Sequence, residues 1–386
     1  MEVLIERERN ARLGKDENSL RETFISMLEY CHSDQDSIHL LVLLSKRKGQ
    51  LKEVLAWFID YNFNERKTFY EKQNTNEAMN MLINYATSLL NEVIEGKMFL
   101  EKQRIMVSDY LKCTFERIGE NKKALDIIFD IPIETFSTIN ESEIIKFQLE
   151  QLRLAILNKE WIKADVSSKK IRTKYFSESN DLENEVLFYS LLTDLNIGQK
   201  LFFNAAQLLY KIGEKKALNN KYIIYSSFYA IISDKSSERD ALIKQLIYNP
   251  NNLENIRRIL NAFLRDEILN VQLINPLREY IDLNLYTEEI NKSIDVHNLC
   301  LISKYCTFIS INYLAMLMSC TNDELIGKIC LVVNDKILDC KVDENEGLVE
   351  FNKSLEVDWM NSIDNIIGKI VEVNHLIDRE YLNHNE

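Results

Sequence analysis

The chain has 386 residues, 46% of them apolar and 28% charged, and its 60 acidic against 47 basic side chains give a formal net charge of −13. That balance works against generic binding to nucleic acid or an anionic membrane, both of which need Lys and Arg to neutralise phosphate. Only 9 Gly and 3 Pro over this length exclude Gly-rich nucleotide-binding sheets, sandwiches and barrels, and favour long helices joined by short turns.

The opening MEVLIERERNARLGKDENS places charges where a secretory segment needs an apolar core, so no signal peptide is expected. No uninterrupted apolar run reaches the roughly 18 residues a membrane span requires. From about Asn18 to Leu285 the pattern is helix after helix. SIHLLVLLSKRKGQLKEVLAWFI holds two apolar-periodic segments around a basic turn at Lys46–Gly49. Further on a theme recurs: CTFERIGENKKALDIIF turns at Gly119, LRLAILNKEWIKADVSSKKI at Asn158 and YSLLTDLNIGQKLFFNAAQLLYKIG at Gly198, with gaps of 39 and 40 residues. Each unit reads helix, tight polar turn, helix, with Ala124, Ala164 and Ala205 facing back across the pair. A period near 40 with paired helices predicts an α-solenoid of TPR-like or HEAT-like hairpins.

A bridging segment follows, in which Pro276 is expected to open a helix. Near Ile294 the pattern changes. VHNLCLISKYC reads as a helix, CTFIS as a short strand, and SINYLAMLMS as a helix capped by Ser310. TNDELIGKICLVVN is a third helix, with Thr321 and Glu324 spaced for a capping box. ILDCKV and LVEF are two strands around DENEG, whose Gly347 can take positive φ. That order predicts a winged helix. In the last stretch Trp359, Ile363, Ile366, Ile370, Val373 and Ile377 fall at 4-3-4-3-4 spacing, a coiled-coil seam that either docks on its own domain or joins an intermolecular bundle. The expected fold class is mainly α. The expected domains are a solenoid over 1–285, a winged helix over 286–354 and a C-terminal bundle helix over 355–386.

Catalytic and metal-binding patterns are missing. None of the four Gly-Lys pairs (Gly14, Gly96, Gly327, Gly368) is followed by Ser or Thr, so there is no P-loop. The five histidines (His32, His39, His297, His375, His384) form no metal-binding spacing, and there is no nucleophile elbow. Cys31, Cys113, Cys300, Cys306, Cys320, Cys330 and Cys340 contain no C-x-x-C pair and are expected as reduced thiols, the last five as small buried apolar side chains. No catalytic residue, cofactor or metal site is expected.

From Ile294 to Lys353 there are five Lys, no Arg and nine acids, a formal balance of −4. The third helix offers one Lys and two acids, and the wing tip is DENEG. A DNA reader needs cations on the phosphates and donors at the base edges. The module is expected to bind protein, with negligible affinity for DNA.

A solenoid feeding a winged helix with a trailing helix resembles PCI-domain scaffold subunits. FQLEQLRLAILNKEWIKADVSSKKIRTKYF closely resembles the corresponding stretch of the non-ATPase regulatory subunit 12 family of proteasome lid proteins, above all in LEQLRL and SKKIRTKYF. LLVLLSKRKGQLKEV and EVIEGKMFLEKQR resemble that family's N-terminal repeats. The segment from VHNLCLISKYC to LVEF resembles its winged helix, including the register of Leu314, Leu317, Leu325, Ile329, Val332 and Ile337. The similarity runs from about residue 37 onward and is weakest between Gly198 and Pro276, where this chain looks shortened. The resemblance implies a non-catalytic scaffold of the 26S regulatory-particle lid, in cytoplasm and nucleus. It implies winged helices set edge to edge, C-terminal helices in a shared bundle, and arms touching the ATPase ring, the core particle's outer ring or the lid deubiquitinase. The candidate interface is then the strand Ile337, Leu338, Asp339, Cys340, Lys341 and Val342 together with the seam residues. The competing readings are a COP9 signalosome PCI subunit 4-like scaffold and a PCI module of a nucleic-acid-associated complex.

Overall fold

The computed structural model describes residues 2–73, 75–179, 181–215 and 220–351, together with Ile363, Ile366, Ile367, Lys369, Ile370 and Val373. These residues are mainly helical, with one small sheet, as the sequence predicts. The chain divides into two compact units between Gln199 and Lys200.

The first unit contains α1 (Glu2–Gly14), α2 (Glu17–Glu29), α3 (Asp34–Lys46), α4 (Lys52–Gln73), α5 (Asn76–Ser88), α6 (Glu101–Ile118), α7 (Asn121–Phe129), α8 (Glu141–Leu157), α9 (Trp161–Lys170), α10 (Thr173–Ser179) and α11 (Leu182–Gly198). Short polar side chains start several of them. Asp16 accepts the Asn18 and Ser19 amides, Ser33 forms a capping box with Asp36, and Thr75 accepts the Ala78 amide.

The helical repeat is visible in its cross-ties. α6 packs on α7, α7 on α8, and α8 on α9. Arg153 of α8 reaches Glu116 of α6 at 2.6 Å, the Asn158 side chain donates to the Asn121 carbonyl at 3.0 Å, and Lys163 of α9 meets Asp126 of α7 at 3.0 Å, each across 37 residues. Ala124 and Ala164 are fully buried, as expected of residues where two helices approach. The loop before α8 is held by buried polar groups. Gln151 donates to the Ile128 carbonyl at 2.6 Å, and the Glu101 carboxylate accepts the Ser137 and Thr138 amides at 3.0 and 3.1 Å.

The turns differ from one another in a way the sequence does not announce. Gly119 has φ +86°, the left-handed residue that ends α6. In the next two turns a lysine takes that conformation: Lys159 at φ 58° and Lys200 at φ 60°. Gly198 is instead the last residue of α11 with an ordinary helical φ, so its glycine has another cause. A Cβ there would stand 2.3 Å from the Trp161 ring. Gly198→Ala is therefore expected to destabilise the chain by about 1–2 kcal/mol through overpacking. In a Trp161→Leu background the same change should cost nothing. Urea titrations of the four variants measure the coupling, and an equal cost in both backgrounds would refute the close-approach explanation.

The second unit contains α12 (Phe202–Lys215), α13 (Asn220–Ile232), α14 (Ser237–Tyr248), α15 (Glu254–Leu264), 3-10 segments at Val271–Glu279 and Leu283–Tyr286, then α16 (Thr287–Tyr305), β1 (Phe308–Ser310), α17 (Ile311–Met318), α18 (Asn322–Asn334), β2 (Cys340–Asp343) and β3 (Leu348–Phe351). Within this unit α12 is paired with α13, so closely that a Cβ on Gly213 would meet Ile223 at 2.4 Å. Pro276 lies inside the 3-10 run rather than opening a helix, because Asn270 caps the run earlier by accepting the Gln272 amide.

α16 serves two cores. Its Ser293 donates to the Ile231 carbonyl of α13, and Asn298 clamps the Leu269 backbone on both sides at 2.8 and 2.9 Å. Its Val296, Leu299 and Ile302 join the winged-helix core with Leu314, Leu325, Ile329, Val332, Val349 and Phe351. The 285/286 boundary expected from sequence thus lies inside one compact unit. Among the described residues, no helix is long and apolar enough to cross a membrane.

Candidate protein-interaction surfaces

α18 is built as a packing helix. Thr321 accepts the Glu324 amide while the Glu324 carboxylate accepts the Thr321 amide at 3.0 Å, the reciprocal capping box the spacing predicts. These bonds hold the Glu324 carboxyl below its usual range. Leu325, Ile329 and Val332 point into the core, and Leu317 and Ile337 pack half-buried against it. The outward face carries Asp323, Gly327, Cys330 and Leu331. Lys328, the helix's single cation, is engaged by Asp295 at 3.0 Å. Burial pushes the Asp295 carboxyl up in spite of that lysine. Of the five cysteines expected as small buried apolar side chains, Cys300, Cys306, Cys320 and Cys340 are half-buried and pack against the core, while Cys330 is exposed. All seven cysteines are unpaired.

The wing follows from its turn. Asp343 accepts the Asn345 and Glu346 amides at 2.9 and 3.1 Å, and Gly347 takes φ +65°. The sheet order is β1-β3-β2, all antiparallel. LVEF is therefore the central strand, and its edges are taken. The free edge belongs to β2.

The register shows which β2 groups face outward. Phe351 donates its amide to the Thr307 carbonyl, and Ile311 donates to the Gly347 carbonyl, both at 2.8 Å. Odd-numbered β3 residues thus bond to β1, leaving Leu348 and Glu350 to bond to β2 through their partners Asp343 and Lys341. Cys340 and Val342 then turn their backbone N–H and C=O away from the sheet while their side chains lie half-buried on its core face. The edge strand is shorter at its start than expected. Ile337 donates its amide back to the Val332 carbonyl, and positive φ at Lys336 turns the chain, so Ile337 and Leu338 pack as a loop and Asp339 precedes the strand. β1 offers only a short outer edge, three residues long and ending at Ser310, the N-cap residue of α17.

Of the seam residues, Ile363, Ile366, Ile370 and Val373 are helical and sit at 3-4-3 spacing, with Ile367 widening the stripe. Each is about half exposed, from 48% to 57%, and nothing among the described residues covers them. Trp359 and Ile377 lie outside the described residues.

Paired helices leading into a three-stranded winged helix with an open edge define a class, the PCI-domain proteins. The PCI domain family matches residues 254–353. The family described as PSMD12/CSN4, N-terminal, matches residues 1–221, more than half of the chain, and the chain belongs to it. Residues 222–253, between the two matches, fall in the stretch where the sequence resemblance is weakest. Relatives extend over both parts. The 26S proteasome regulatory subunit RPN5 of Saccharomyces cerevisiae is 26% identical over 100% of this chain and 91% of its own length. The 26S proteasome non-ATPase regulatory subunit 12 of Dictyostelium discoideum is 24% identical over 100% and 90%. The 26S proteasome non-ATPase regulatory subunit 12 homolog A of Arabidopsis thaliana is 22% identical over 99% and 96%.

Proposed function

We propose that this chain is a non-catalytic scaffold subunit of the proteasome regulatory-particle lid, supporting ubiquitin-dependent protein degradation through PCI–PCI and helical-bundle contacts. The observation that carries this reading is similarity along the whole chain to proteins named as proteasome regulatory subunits. Two features of the molecule support it. The outward peptide groups of Cys340 and Val342 suit strand addition by a neighbouring subunit, and the half-exposed isoleucine stripe suits a shared helical bundle. The working partition is a helical arm through residue 285, a winged helix over 286–354 and a bundle helix over 355–386. Its partners would be the other lid PCI subunits, the lid deubiquitinase, the ATPase ring and the core-particle outer ring, in cytoplasm and nucleus.

The second reading is a COP9 signalosome subunit 4-like scaffold, favoured by the family description, which joins both kinds of protein. Affinity purification of the tagged chain separates the two. Recovery of proteasomal ATPases and core subunits is the expected result. A deneddylase complex without ATPases would favour the signalosome, and a chain without partners would refute both.

A further inference from the structure

On a chain of net charge −13, one end of the first unit is locally basic. Three turns distant in sequence meet there: the α1–α2 turn, the α3–α4 turn and the segment before α6. Arg12 donates to the Lys48 carbonyl, and its guanidinium lies 3.8 Å from where a Cβ on Gly49 would be. Lys97 donates to the Ser45 hydroxyl at 2.8 Å and to the Val93 carbonyl. Lys52 lies 5.8 Å over the ring of Phe99, two residues after Lys97.

Asp16, Glu17, Glu53, Glu92 and Glu95 are exposed on the same segments, but the Lys46-Arg47-Lys48 run has no acid beside it. The fully buried Glu8 carboxylate is shared by Arg12 and Arg47, two cations on one anion. Lys15, Lys46, Lys48 and Lys52 are exposed, and no carboxylate among the described residues pairs with them or with Lys97. Lys97 is held by neutral oxygens alone, and burial together with nearby Lys46 pushes its pKa down. An added negative charge would relieve that repulsion. Two exposed apolar side chains are close in sequence to the cations: Leu43, one turn before Lys46 and Arg47, and Met98, the residue after Lys97, 74% exposed.

We propose that this surface docks an acidic segment of a protein partner, a run of Asp and Glu with an apolar side chain to rest on Met98 or Leu43. The chemistry selects among polyanions. Lysines are hydrated point charges on flexible stems, suited to carboxylates spread along a segment, whereas bidentate recognition of a phosphate calls for an arginine fork, and both arginines here are committed to Glu8. The Debye length of about 8 Å at physiological salt confines the attraction to the patch, so a short acidic segment can use it. A long nucleic acid would meet the acidic remainder of the chain. This inference stands whichever large complex the chain joins.

The test is fluorescence anisotropy of a labelled peptide of ~12 residues, alternating Glu and Asp around one Leu and one Phe, titrated with the full chain at about 150 mM salt. Saturable binding is expected. It should weaken at least about tenfold in the triple variant Lys46→Glu, Lys48→Glu, Lys52→Glu, and by less than about twofold in a control triple of exposed lysines elsewhere, Lys122→Glu, Lys174→Glu, Lys244→Glu. Circular dichroism checks that each variant is folded. If the first triple does not fold, Lys→Gln at the same three positions carries the test. Absence of binding, equal loss in both triples, or tighter binding of a single-stranded oligonucleotide or phosphatidylserine vesicles than of the peptide would overturn the proposal.

Discussion

Replacing Ile366 and Ile370 together with Asp is expected to leave the purified chain as stable as before and to remove it from any large complex in a cell extract. Both side chains are more than half exposed in the free chain, at 57% and 54%. Polar substitutions at such positions change stability by no more than about 0.5 kcal/mol. In a helical bundle the same positions would be buried. Each lost isoleucine then forfeits roughly 1.5–3 kcal/mol of apolar burial, and each carboxylate adds a desolvation cost on top. Thermal unfolding of the purified variant and a native gel of the extract separate the alternatives. Normal assembly would show that the stripe is not an intersubunit seam. A drop in melting temperature would show that it docks on its own chain.

The second large effect is a contrast between neighbours on β2. Lys341 exchanges backbone hydrogen bonds with Glu350 of β3, whereas Val342 points its amide to the open edge. Proline removes the amide in either case. Lys341→Pro breaks a ladder bond inside the sheet and is expected to cost about 3 kcal/mol or more, enough to disturb the wing. Val342→Pro spares the ladder and loses only part of one half-buried side chain, about 1 kcal/mol. It nevertheless removes the group that an added strand would use. A stable Val342→Pro chain that no longer co-purifies with its neighbours is the expected outcome. If the variant co-purifies normally, β2 is not the pairing edge.

Local chemistry was legible in the sequence where local rules decide it. The caps at Ser310 and Thr321, the turn at Gly119, the positive φ at Gly347, and the burial of Leu314, Leu325, Ile329 and Val332 each depend on a few adjacent residues. Features that need distant parts to meet were not legible. LVEF could be identified as a strand, but its central place depends on β1, three residues long and nearly forty positions earlier. Gly198 reads as a turn glycine until Trp161 is found against it. The pairing of α12 with α13 is a tertiary choice, while Pro276 was misplaced because an earlier cap outranked it. The candidate surfaces divide in the same way. The isoleucine stripe is a spacing and can be read directly. The outward amides of β2 require a register, and the basic end of the first unit joins Arg12, Lys46, Lys48 and Lys97 from three separate stretches.

The double service of α16 has a mechanical consequence. This helix is fastened to α13 through Ser293 and to the Leu269 backbone through Asn298, while its Val296, Leu299 and Ile302 fill the core beneath the wing. Among the described residues, α16 joins the repeat helices of the second unit directly to the core beneath the sheet. A tug on the β2 edge is borne by a continuous rod, and it reaches α13 without passing through a flexible linker. Strain applied at the sheet is expected to reach α13 through this helix. For the same reason a fragment beginning at residue 286 would carry away the rod but not the sockets that hold it, and Asn298 would keep its amide without the backbone it was shaped to grip.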